Sequence, residues 1–322
     1  MLTHCLNDCI ESLPDTRDYI YGNIRSPEPL PSQYYLPQIA IRDQGNLGSC
    51  TGFAGAAIKD IQEINNHPEK QYLLSPLFIY TESKKIDGIP DVDGTYPRIT
   101  MKVLNKLGAC LESTLPYSDN PNLPEISNKA ISEAEHFKIK SYARVNNLQE
   151  IKQAIKQEHS PVLVSVLITE SFIYHEQGYI PLPSGENFGG HAMTIVGWDD
   201  NMSYTYSNNA TLTGYFKVIN SWGDSWGDQG YCYIPYDFFF SSAFMEAWVS
   251  IDHIVPYDLE ERIDVWEENN KTYIGGRELD LSSLPKTIKF QDKRKINLKL
   301  ISKALNKTIR YNSRTKDITI SN

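Results

Sequence analysis

The stretch from Arg42 to Ile64 constrains the fold of this chain more than any other. It begins as a polar, glycine-rich loop and continues as a segment whose apolar residues recur at helical spacing, namely Phe53, Ala57, Ile58, Ile61 and Ile64. This spacing predicts an amphipathic helix. Glycine and alanine at 52 and 54–57 make one side of that helix thin, so that another element can pack closely against it. We therefore expect a buried central helix.

Cys50 lies where the loop passes into the helix. Ser49 is a residue type that caps helix N-termini, which predicts that Cys50 lies in the first turn. The positive end of the helix dipole favours the thiolate there, and the thiolate is the form of cysteine that attacks. This stretch alone leaves two interpretations open: Cys50 is a small buried apolar residue, as many single cysteines are, or it is a nucleophile.

The composition indicates a globular chain with room for two or three domains. Of its 322 residues, 40% are hydrophobic and 22% are charged, as in ordinary folded proteins. No apolar run reaches the roughly 18 residues of a membrane-spanning helix, and the first residues do not read as a signal peptide. Two localisations stay open: the cytoplasm, or release to the surface after loss of a leader.

The five cysteines suggest neither a disulfide framework nor a metal centre, because their number is odd and they are sparse. Cys5 and Cys9 are four residues apart, but no histidine or second cysteine pair accompanies them. We expect no metal and no cofactor, and we expect Cys110 and Cys232 to be buried thiols.

The pattern along the chain changes from helical to strand-rich near residue 136. Residues 1–41 are rich in proline and read as an extended strap, not a domain. Further helices are predicted at 71–87 (starting at Ser75-Pro76), 99–107 (ended by Gly108) and 148–157. Strands are predicted at 136–142, 161–168, 189–200, 215–223 and 226–235.

Residues 256–322 read as a separate, basic block. From residue 281 to the end there are eleven Lys or Arg and two Asp residues, a charge of +9, so the rest of this −9 chain is near −18. We predict a small α+β accessory domain whose basic end either binds an anionic polymer or nucleic acid or forms a solvated docking face. Its predicted elements are strands at 263–266, 271–274, 287–290, 308–311 and 317–320 and a helix near 298–305.

Catalysis by a thiolate needs a base that accepts the thiol proton, a group that orients the base, and donors for the developing oxyanion. Cys50, His191, Asn220 and Gln44 can supply these roles. His191 and Asn220 follow the cysteine by 141 and 170 residues, an interval typical of one class of thiol hydrolases.

Three blocks of sequence resemble the papain-like (cathepsin-type, C1 family) cysteine peptidases, in that family's order, over residues 30–252 or so. They are Asp43-Gln44-Gly45 with Gly48-Ser49-Cys50, then Gly190-His191-Ala192 with Val196-Gly197-Trp198-Asp199, then Asn220-Ser221-Trp222-Gly223 with residues 226–231. The resemblance implies an α+β, two-lobed papain-like fold at 30–255 with the active-site cleft between the lobes. The helical lobe would span about 45–135, and the β-barrel-like lobe about 136–255 plus 30–44.

The same resemblance implies catalytic roles. Cys50 would be the nucleophile, His191 the base and Asn220 the orienter of the imidazole. The Gln44 side chain and the Cys50 backbone N–H would form the oxyanion hole. His159 also lies in the strand-rich half, but, like His175, it lacks the Gly-Gly-His-Ala context, and we interpret both as structural.

A second group of residues is implied in substrate binding. Trp222 would shield the hydrogen bond between Asn220 and His191 from water. The backbone of Asp93-Gly94-Thr95 would pair with an extended polypeptide, and Gly190 would line the cleft beside the base.

The sequence also departs from that family. Leu47 stands where a disulfide-forming cysteine is usual, Thr51 replaces the usual tryptophan, and Gly190 replaces an acid. Only 29 residues precede the mature-like start at Leu30, so residues 1–29 are an N-terminal extension or a short prosegment. These departures favour a bacterial or phage-like branch. The C-terminal block weakly resembles copper-amine-oxidase-N-terminal-like domains, without metal ligands.

The expected activity is hydrolysis of peptide bonds by a Cys50 thiolate–His191 imidazolium pair through a covalent acyl-enzyme. One alternative is a catalytically silent binding protein that keeps the fold. Another is a different cysteine hydrolase, transglutaminase-like or a peptidoglycan amidase, which would use an Asp or a second His as orienter and would not need Gln44.

Overall fold

The computed structural model of the chain describes residues 9–25 and 27–251, together with the segments 262–268, 271–274, 277–279, 294–297, 308–312 and 317–321. The chain divides into two compact units, residues 1–253 and 254–322. In the described residues, no helix is long and apolar enough to cross a membrane.

The first unit is α+β, with most of its helices before most of its strands, as predicted. The α-helices are α1 (Tyr21–Ile24), α2 (Cys50–Asn66), α3 (Pro76–Lys84), α4 (Pro97–Lys106), α5 (Asn128–Ala134), α6 (Leu148–Glu158) and α7 (Glu170–Ile173). Two 3₁₀ helices span Glu135–Phe137 and Tyr236–Phe240. The strands are β1 (Gln33–Tyr35), β2 (Ser141–Val145), β3 (Val162–Thr169), β4 (Asn187–Thr205), β5 (Thr211–Ile219), β6 (Tyr231–Pro235) and β7 (Phe244–Ile251).

The central helix α2 is buried more completely than an amphipathic pattern predicts, because every residue from Cys50 to Glu63 is buried. On its thin side, a Cβ on Gly52 would lie 2.6 Å from the carbonyl oxygen of Pro76. Its buried charged residues, and the amide nitrogen of Gln62, are paired instead of solvated. Lys59 bonds Glu63 at 3.0 Å, and Gln62 donates to the hydroxyls of Ser160 and Ser250.

Asp60 of α2 holds the loop that precedes the helix. It is fully buried, and it accepts hydrogen bonds from Arg42 at 2.6 Å and from the backbone N–H of Leu74 at 2.8 Å. Burial raises the pKa of Asp60 to about 7, and the Arg42 charge opposes this shift. Arg42 lies two residues before Gln44, so this pair anchors the loop that carries Gln44.

At the N-termini of α3 and α2, the caps predicted from the sequence differ in outcome. Ser75 caps α3 as predicted, since its hydroxyl accepts from the Phe78 N–H at 3.1 Å. Ser49 occupies the N-cap position of α2, but its side chain makes no capping hydrogen bond. The Ser49 hydroxyl lies 2.7 Å from the phenol oxygen of Tyr117 instead.

Several elements differ from the sequence prediction, which also lacks the short elements α1, β1 and α7. The strand predicted at 136–142 is wrong in its bounds, because α5 continues as a 3₁₀ helix to Phe137 and β2 begins only at Ser141. Helix α5 was not predicted, although Ser127 caps it through the Ala130 N–H. Strand β7 was not predicted either. It lies between β2 and β3, and most of its residues are buried on both faces, so its sequence does not alternate.

One antiparallel sheet of seven strands positions the functional residues. Its order is β2-β7-β3-β4-β5-β6, and β1 pairs with β4. On β4, His191 lies opposite Val166 of β3. Strand β5 ends at Ile219, opposite Thr194. The turn after β5 therefore falls beside the start of β4, which brings Asn220 towards His191.

The described segments of the second unit form two small antiparallel arrangements. Strands β8 (Arg262–Glu268), β9 (Lys271–Ile274), β10 (Arg277–Leu279) and β11 (Arg294–Asn297) form a sheet in the order β10-β9-β8-β11. Strand β12 (Thr308–Asn312) pairs with β13 (Asp317–Ser321). The strand predicted at 287–290 and the helix predicted near 298–305 lie outside the described residues.

Candidate active site

Cys50 is the first residue of α2 and is fully buried. Its Sγ accepts the backbone N–H of Ala192 at 3.3 Å. Ala192 directly follows His191 on β4, so the thiol from the helical half lies against the strand that carries the imidazole. The helix N-terminus favours the thiolate at this position.

Asn220 determines which nitrogen of His191 carries a proton. The imidazole Nε2 lies 2.7 Å from Asn220 Oδ1. The Ser221 N–H also donates to Oδ1, at 2.8 Å, which identifies this atom as the amide oxygen. An amide oxygen only accepts, so Nε2 is the donor and proton transfer falls to Nδ1.

An aromatic cover shields this pair. Trp222 is 1% exposed, and its ring lies 4.7 Å from the imidazole of His191, centroid to centroid. Trp226 and Phe172 pack edge-on against Trp222 at 5.1 and 6.2 Å. Exclusion of water by these rings strengthens the hydrogen bond between His191 and Asn220.

Gln44 connects the two halves of the site. Its Oε1 accepts the Ser221 hydroxyl at 2.5 Å, and its backbone N–H donates to the Ser221 carbonyl at 2.9 Å. Its Nε2 donates to the carbonyl of Leu47 at 3.1 Å. Gln44 is thus tied to the residue after Asn220 and to the turn before Cys50.

The loop of Asp93, Gly94 and Thr95 contacts both the turn before Cys50 and the cleft. The Asp93 carboxylate accepts the Gly48 N–H, with both oxygens at 3.0 Å, and the Tyr80 hydroxyl at 2.8 Å. Its side chain therefore contacts the turn before Cys50, while the Thr95 carbonyl faces the strap described next.

The sequence predicts an N-terminal strap but not its course, which runs through the cleft. The Cys9 N–H donates to the Gly190 carbonyl at 3.0 Å, and the Ile10 N–H donates to the Thr95 carbonyl at 3.1 Å. A Cβ on Gly190 would lie 2.0 Å from the carbonyl oxygen of Cys9. The chain's own backbone thus occupies two of the predicted substrate-binding positions. Below, "the strap" means residues 9–25.

Glu246 on β7 is a second contact that the sequence did not reveal. It is 1% exposed. One carboxylate oxygen accepts the Ser12 N–H at 2.7 Å, and the other accepts the Trp248 indole N–H at 2.5 Å. Burial raises the pKa of Glu246. No motif marks this residue, because only the pairing of β7 with β3 brings it to the cleft.

The rest of the strap is anchored beyond the cleft. Arg98 of α4 bonds Asp15 at 2.6 Å and Asp18 at 2.7 Å. Arg17 and Arg98 hold the pKa of the Asp15 carboxyl well below its usual range. Tyr21 is 1% exposed, and its hydroxyl donates to Glu158 at 3.1 Å. Polar bonds therefore fix the middle of the strap, and a buried ring fixes its end.

The other cysteines and histidines considered from the sequence make contacts outside this site. Burial raises the pKa of Cys110 to about 12 and also raises that of Cys232, so both are poor nucleophiles. His159 Nδ1 lies 3.0 Å from the Tyr34 hydroxyl, and His175 Nδ1 accepts the Gly178 N–H at 3.1 Å. Burial lowers the pKa of His175. Within the described part of the chain, no three His, Cys, Asp or Glu residues could hold a metal ion.

The amino-acid sequence of the chain is similar to those of known proteins. The sequence profile of papain family cysteine proteases matches residues 35–241. An uncharacterized peptidase C1-like protein of Acanthamoeba polyphaga mimivirus is 31% identical over 219 residues, 63% of this chain and 67% of that protein. Cathepsin B-like cysteine proteinase 3 of Ostertagia ostertagi is 31% identical over 103 residues, 32% of this chain and 53% of that protein.

Solved structures agree in fold. The crystal structure of Xylellain, a cysteine protease from Xylella fastidiosa, aligns with a TM-score of 0.67 and 29% identity, over 77% of this chain and 96% of that one. Among the curated relatives, the chain spans 53% of the Ostertagia protein and 38% of falcipain-3 of Plasmodium falciparum.

Proposed function

The chain belongs to the papain family of cysteine proteases and carries the thiol hydrolase chemistry of that family, and from this premise we propose that it is a cysteine-type endopeptidase. The observation that supports the proposal most strongly is the meeting of three segments. The thiol of Cys50 lies 3.3 Å from the N–H that follows His191, and His191 lies 2.7 Å from Asn220.

In the proposed reaction, Cys50 as thiolate attacks the carbonyl carbon of a polypeptide in the cleft. The oxyanion accepts hydrogen bonds from Gln44 Nε2 and from the Cys50 backbone N–H. His191 Nδ1 donates its proton to the leaving amine, and an acyl-enzyme remains. The imidazole then deprotonates a water molecule that hydrolyses the thioester, while Asn220 holds the ring in place.

The contacts of the strap support a polypeptide substrate. The cleft accepts the backbone N–H of Cys9 at Gly190 and that of Ile10 at Thr95. A cleft that pairs with backbone N–H groups suits an extended polypeptide. Gly190 and the Asp93–Thr95 loop would then pair with the substrate backbone, and Trp222 would cover the catalytic pair.

We further propose that residues 1–29 are a short prosegment, because the strap fills the positions that a substrate needs. Peptidase residues 30–255 would be followed by a basic α+β accessory domain at 256–322. That domain would resemble copper-amine-oxidase-N-terminal-like modules and could dock an anionic polymer or a protein. The similarity to the Xylella protein supports a bacterial or phage-like branch.

Digestion of a denatured protein tests the activity. An endopeptidase releases internal fragments, which mass spectrometry of the products identifies. Alkylation by iodoacetamide at mildly acidic pH tests the thiol, since only an activated cysteine reacts quickly there. A silent binding protein would give neither fragments nor rapid alkylation of Cys50, and a transglutaminase-like enzyme or an amidase would spare peptide bonds between ordinary residues.

Asn220→Ala should lower kcat by about 10²-fold with little change in KM, because the imidazole loses the acceptor that fixes its orientation and tautomer. Steady-state kinetics on a fluorogenic peptide measure both constants. Asn201→Ala, an exposed asparagine of β4, is the matched control and should behave as the unmodified chain. An unchanged kcat for Asn220→Ala would assign Asn220 to the turn alone.

A further inference from the structure

On the basis of the proposed function, we infer that Tyr117 is a positioning residue that sets the geometry of the oxyanion hole. Tyr117 lies in the loop between α4 and α5 and outside all three motif blocks. Its phenol oxygen lies 2.7 Å from the backbone carbonyl oxygen of Gln44 and 2.7 Å from the hydroxyl of Ser49. Gln44 supplies one proposed donor of the hole, and Ser49 directly precedes the other, the Cys50 N–H.

The donors and acceptors in this chain of hydrogen bonds have one assignment. The Gln44 carbonyl can only accept, so the single phenol proton of Tyr117 goes to it. The Ser49 hydroxyl must then donate to the Tyr117 oxygen. Its other nearby acceptor, the Leu47 carbonyl, is 3.4 Å away, which is long for a hydroxyl hydrogen bond. The bonds therefore run from Ser49 through Tyr117 to Gln44.

Two further contacts fix Tyr117 itself. Its ring packs edge-on against Phe53 of α2, with centroids 4.6 Å apart. Its backbone N–H donates to the Glu112 carboxylate at 2.7 Å. The phenol oxygen is thus held at a set place relative to the helix that carries Cys50, and Gln44 is held relative to that oxygen.

The unusual cap of α2 has its explanation here. A serine at the N-cap ordinarily accepts a hydrogen bond from the helix backbone. Ser49 makes no such bond, and its hydroxyl is committed to Tyr117 instead. Helix α2 thus lacks the stabilisation that a capping hydrogen bond would give, and Ser49 is linked through Tyr117 to Gln44 instead. We take this as a sign that the distance between the start of α2 and the Gln44 loop matters for the site.

This role predicts a selective defect. Without the phenol hydroxyl, the Gln44 carbonyl loses its link to the start of α2, while the bonds of Gln44 to Ser221 and Leu47 remain. Gln44 can then shift slightly relative to the Cys50 N–H. The two donors then fit the developing oxyanion poorly, whereas substrate binding and the ionisation of the thiol are not affected. A small misplacement of a catalytic group is enough to slow the chemical step.

Tyr117→Phe in the full chain tests this directly, because it removes one hydroxyl and keeps the ring on Phe53. We expect kcat to fall by about tenfold, with KM unchanged within a factor of two. Affinity for a peptide aldehyde should fall by a similar factor, because its hemithioacetal oxygen occupies the hole. Alkylation of Cys50 by iodoacetamide forms no oxyanion, so its rate should equal that of the unmodified chain.

Two companion variants make the result specific. Ser49→Ala cuts the same chain of bonds from the other end and should reproduce the selective loss. Tyr236→Phe removes a phenol bond of the same length, 2.7 Å to Asp200, at a distant place and should change nothing. All variants keep the strap, so the fraction of molecules whose cleft it fills should be the same in each. This fraction cancels when the constants of a variant are divided by those of the unmodified chain.

An equal loss of alkylation rate and kcat in Tyr117→Phe would indicate general damage and overturn the inference. So would a kcat and an aldehyde affinity that both match the unmodified chain. If the unmodified chain cleaves no peptide, the proposed function fails on its own account. Aldehyde affinity at Cys50 then still decides whether Tyr117 sets the hole.

Discussion

Cys50→Ala is expected to reduce peptide hydrolysis by about 10⁶-fold in kcat, to the background level. Every bond-making step of the proposed mechanism passes through the sulfur, and neither Cys110 nor Cys232 can replace it. Cys110 and Cys232 are fully buried, and burial raises the pKa of each thiol. Initial rates on a fluorogenic peptide, with active-site titration of the unmodified chain, measure the effect.

The control for this variant is Cys232→Ala, which removes a thiol of β6 that the mechanism does not use. It should keep its kcat and its rapid alkylation by iodoacetamide, whereas Cys50→Ala should lose both. Both proteins should melt close to the unmodified chain, since each change removes one small atom group. Hydrolysis retained by Cys50→Ala would refute the nucleophile and, with it, the proposed mechanism.

Tyr21→Ala is expected to raise kcat/KM by at least tenfold, because it loosens the strap that fills the cleft. Tyr21 is 1% exposed and ties the far end of the strap to α6. Truncation of a buried aromatic side chain costs about 3 kcal/mol, which is roughly 10²-fold in the equilibrium between docked and released strap. Once the strap is released, Gly190 and Thr95 can pair with substrate.

Tyr19→Ala is the matched control, since Tyr19 is in the same strap but is 61% exposed. Trypsin cleavage at Arg17 provides an independent measure of release. The Arg17 side chain is exposed, but the docked strap holds the turn around it in place, and a protease cleaves a segment faster once it unfolds locally. We expect Tyr21→Ala to be cleaved faster and to be more active, and Tyr19→Ala to match the unmodified chain. A strap that is cleaved faster without any gain in activity would show that it does not inhibit.

Intact mass before and after incubation connects the two predictions. If the chain removes its own strap, the unmodified protein should lose N-terminal mass with time, and Cys50→Ala should keep it. A loss in both proteins would point to a contaminating protease. No loss in either would mean that the strap leaves the cleft without cleavage.

The proposed catalytic residues could be picked out from the sequence because short stretches carry them. The glycine-rich turn before α2, the glycine pair before His191 and the tryptophan-flanked turn at Asn220 each need particular residue types locally. Their order along the chain is enough to associate them with one another. The helix that begins at Cys50 was predicted in the same way, from the spacing of its apolar residues.

Prediction from local sequence patterns failed where the packing of several elements determines the structure. Strand β7 carries few polar residues because its neighbours cover it, so it lacks the alternation that identifies a half-exposed strand. The Ser49 cap was predicted from its residue type, but the phenol of Tyr117 competes successfully for its hydroxyl. The strap was predicted as extended chain, but a proline-rich composition does not determine which surface of the protein an extended segment packs against.

By itself, the sequence was enough to propose the nucleophile, the base and its orienter and to predict the helix on which the thiol lies, because these depend on residue types at short range. Only the tertiary structure decided that Cys9 and Ile10 fill the cleft, that Glu246 meets Ser12, and that Tyr117 joins Ser49 to Gln44. Such contacts join residues far apart in the chain. Their formation depends on the packing of α2 against the sheet and on strand pairing, for which no local pattern exists.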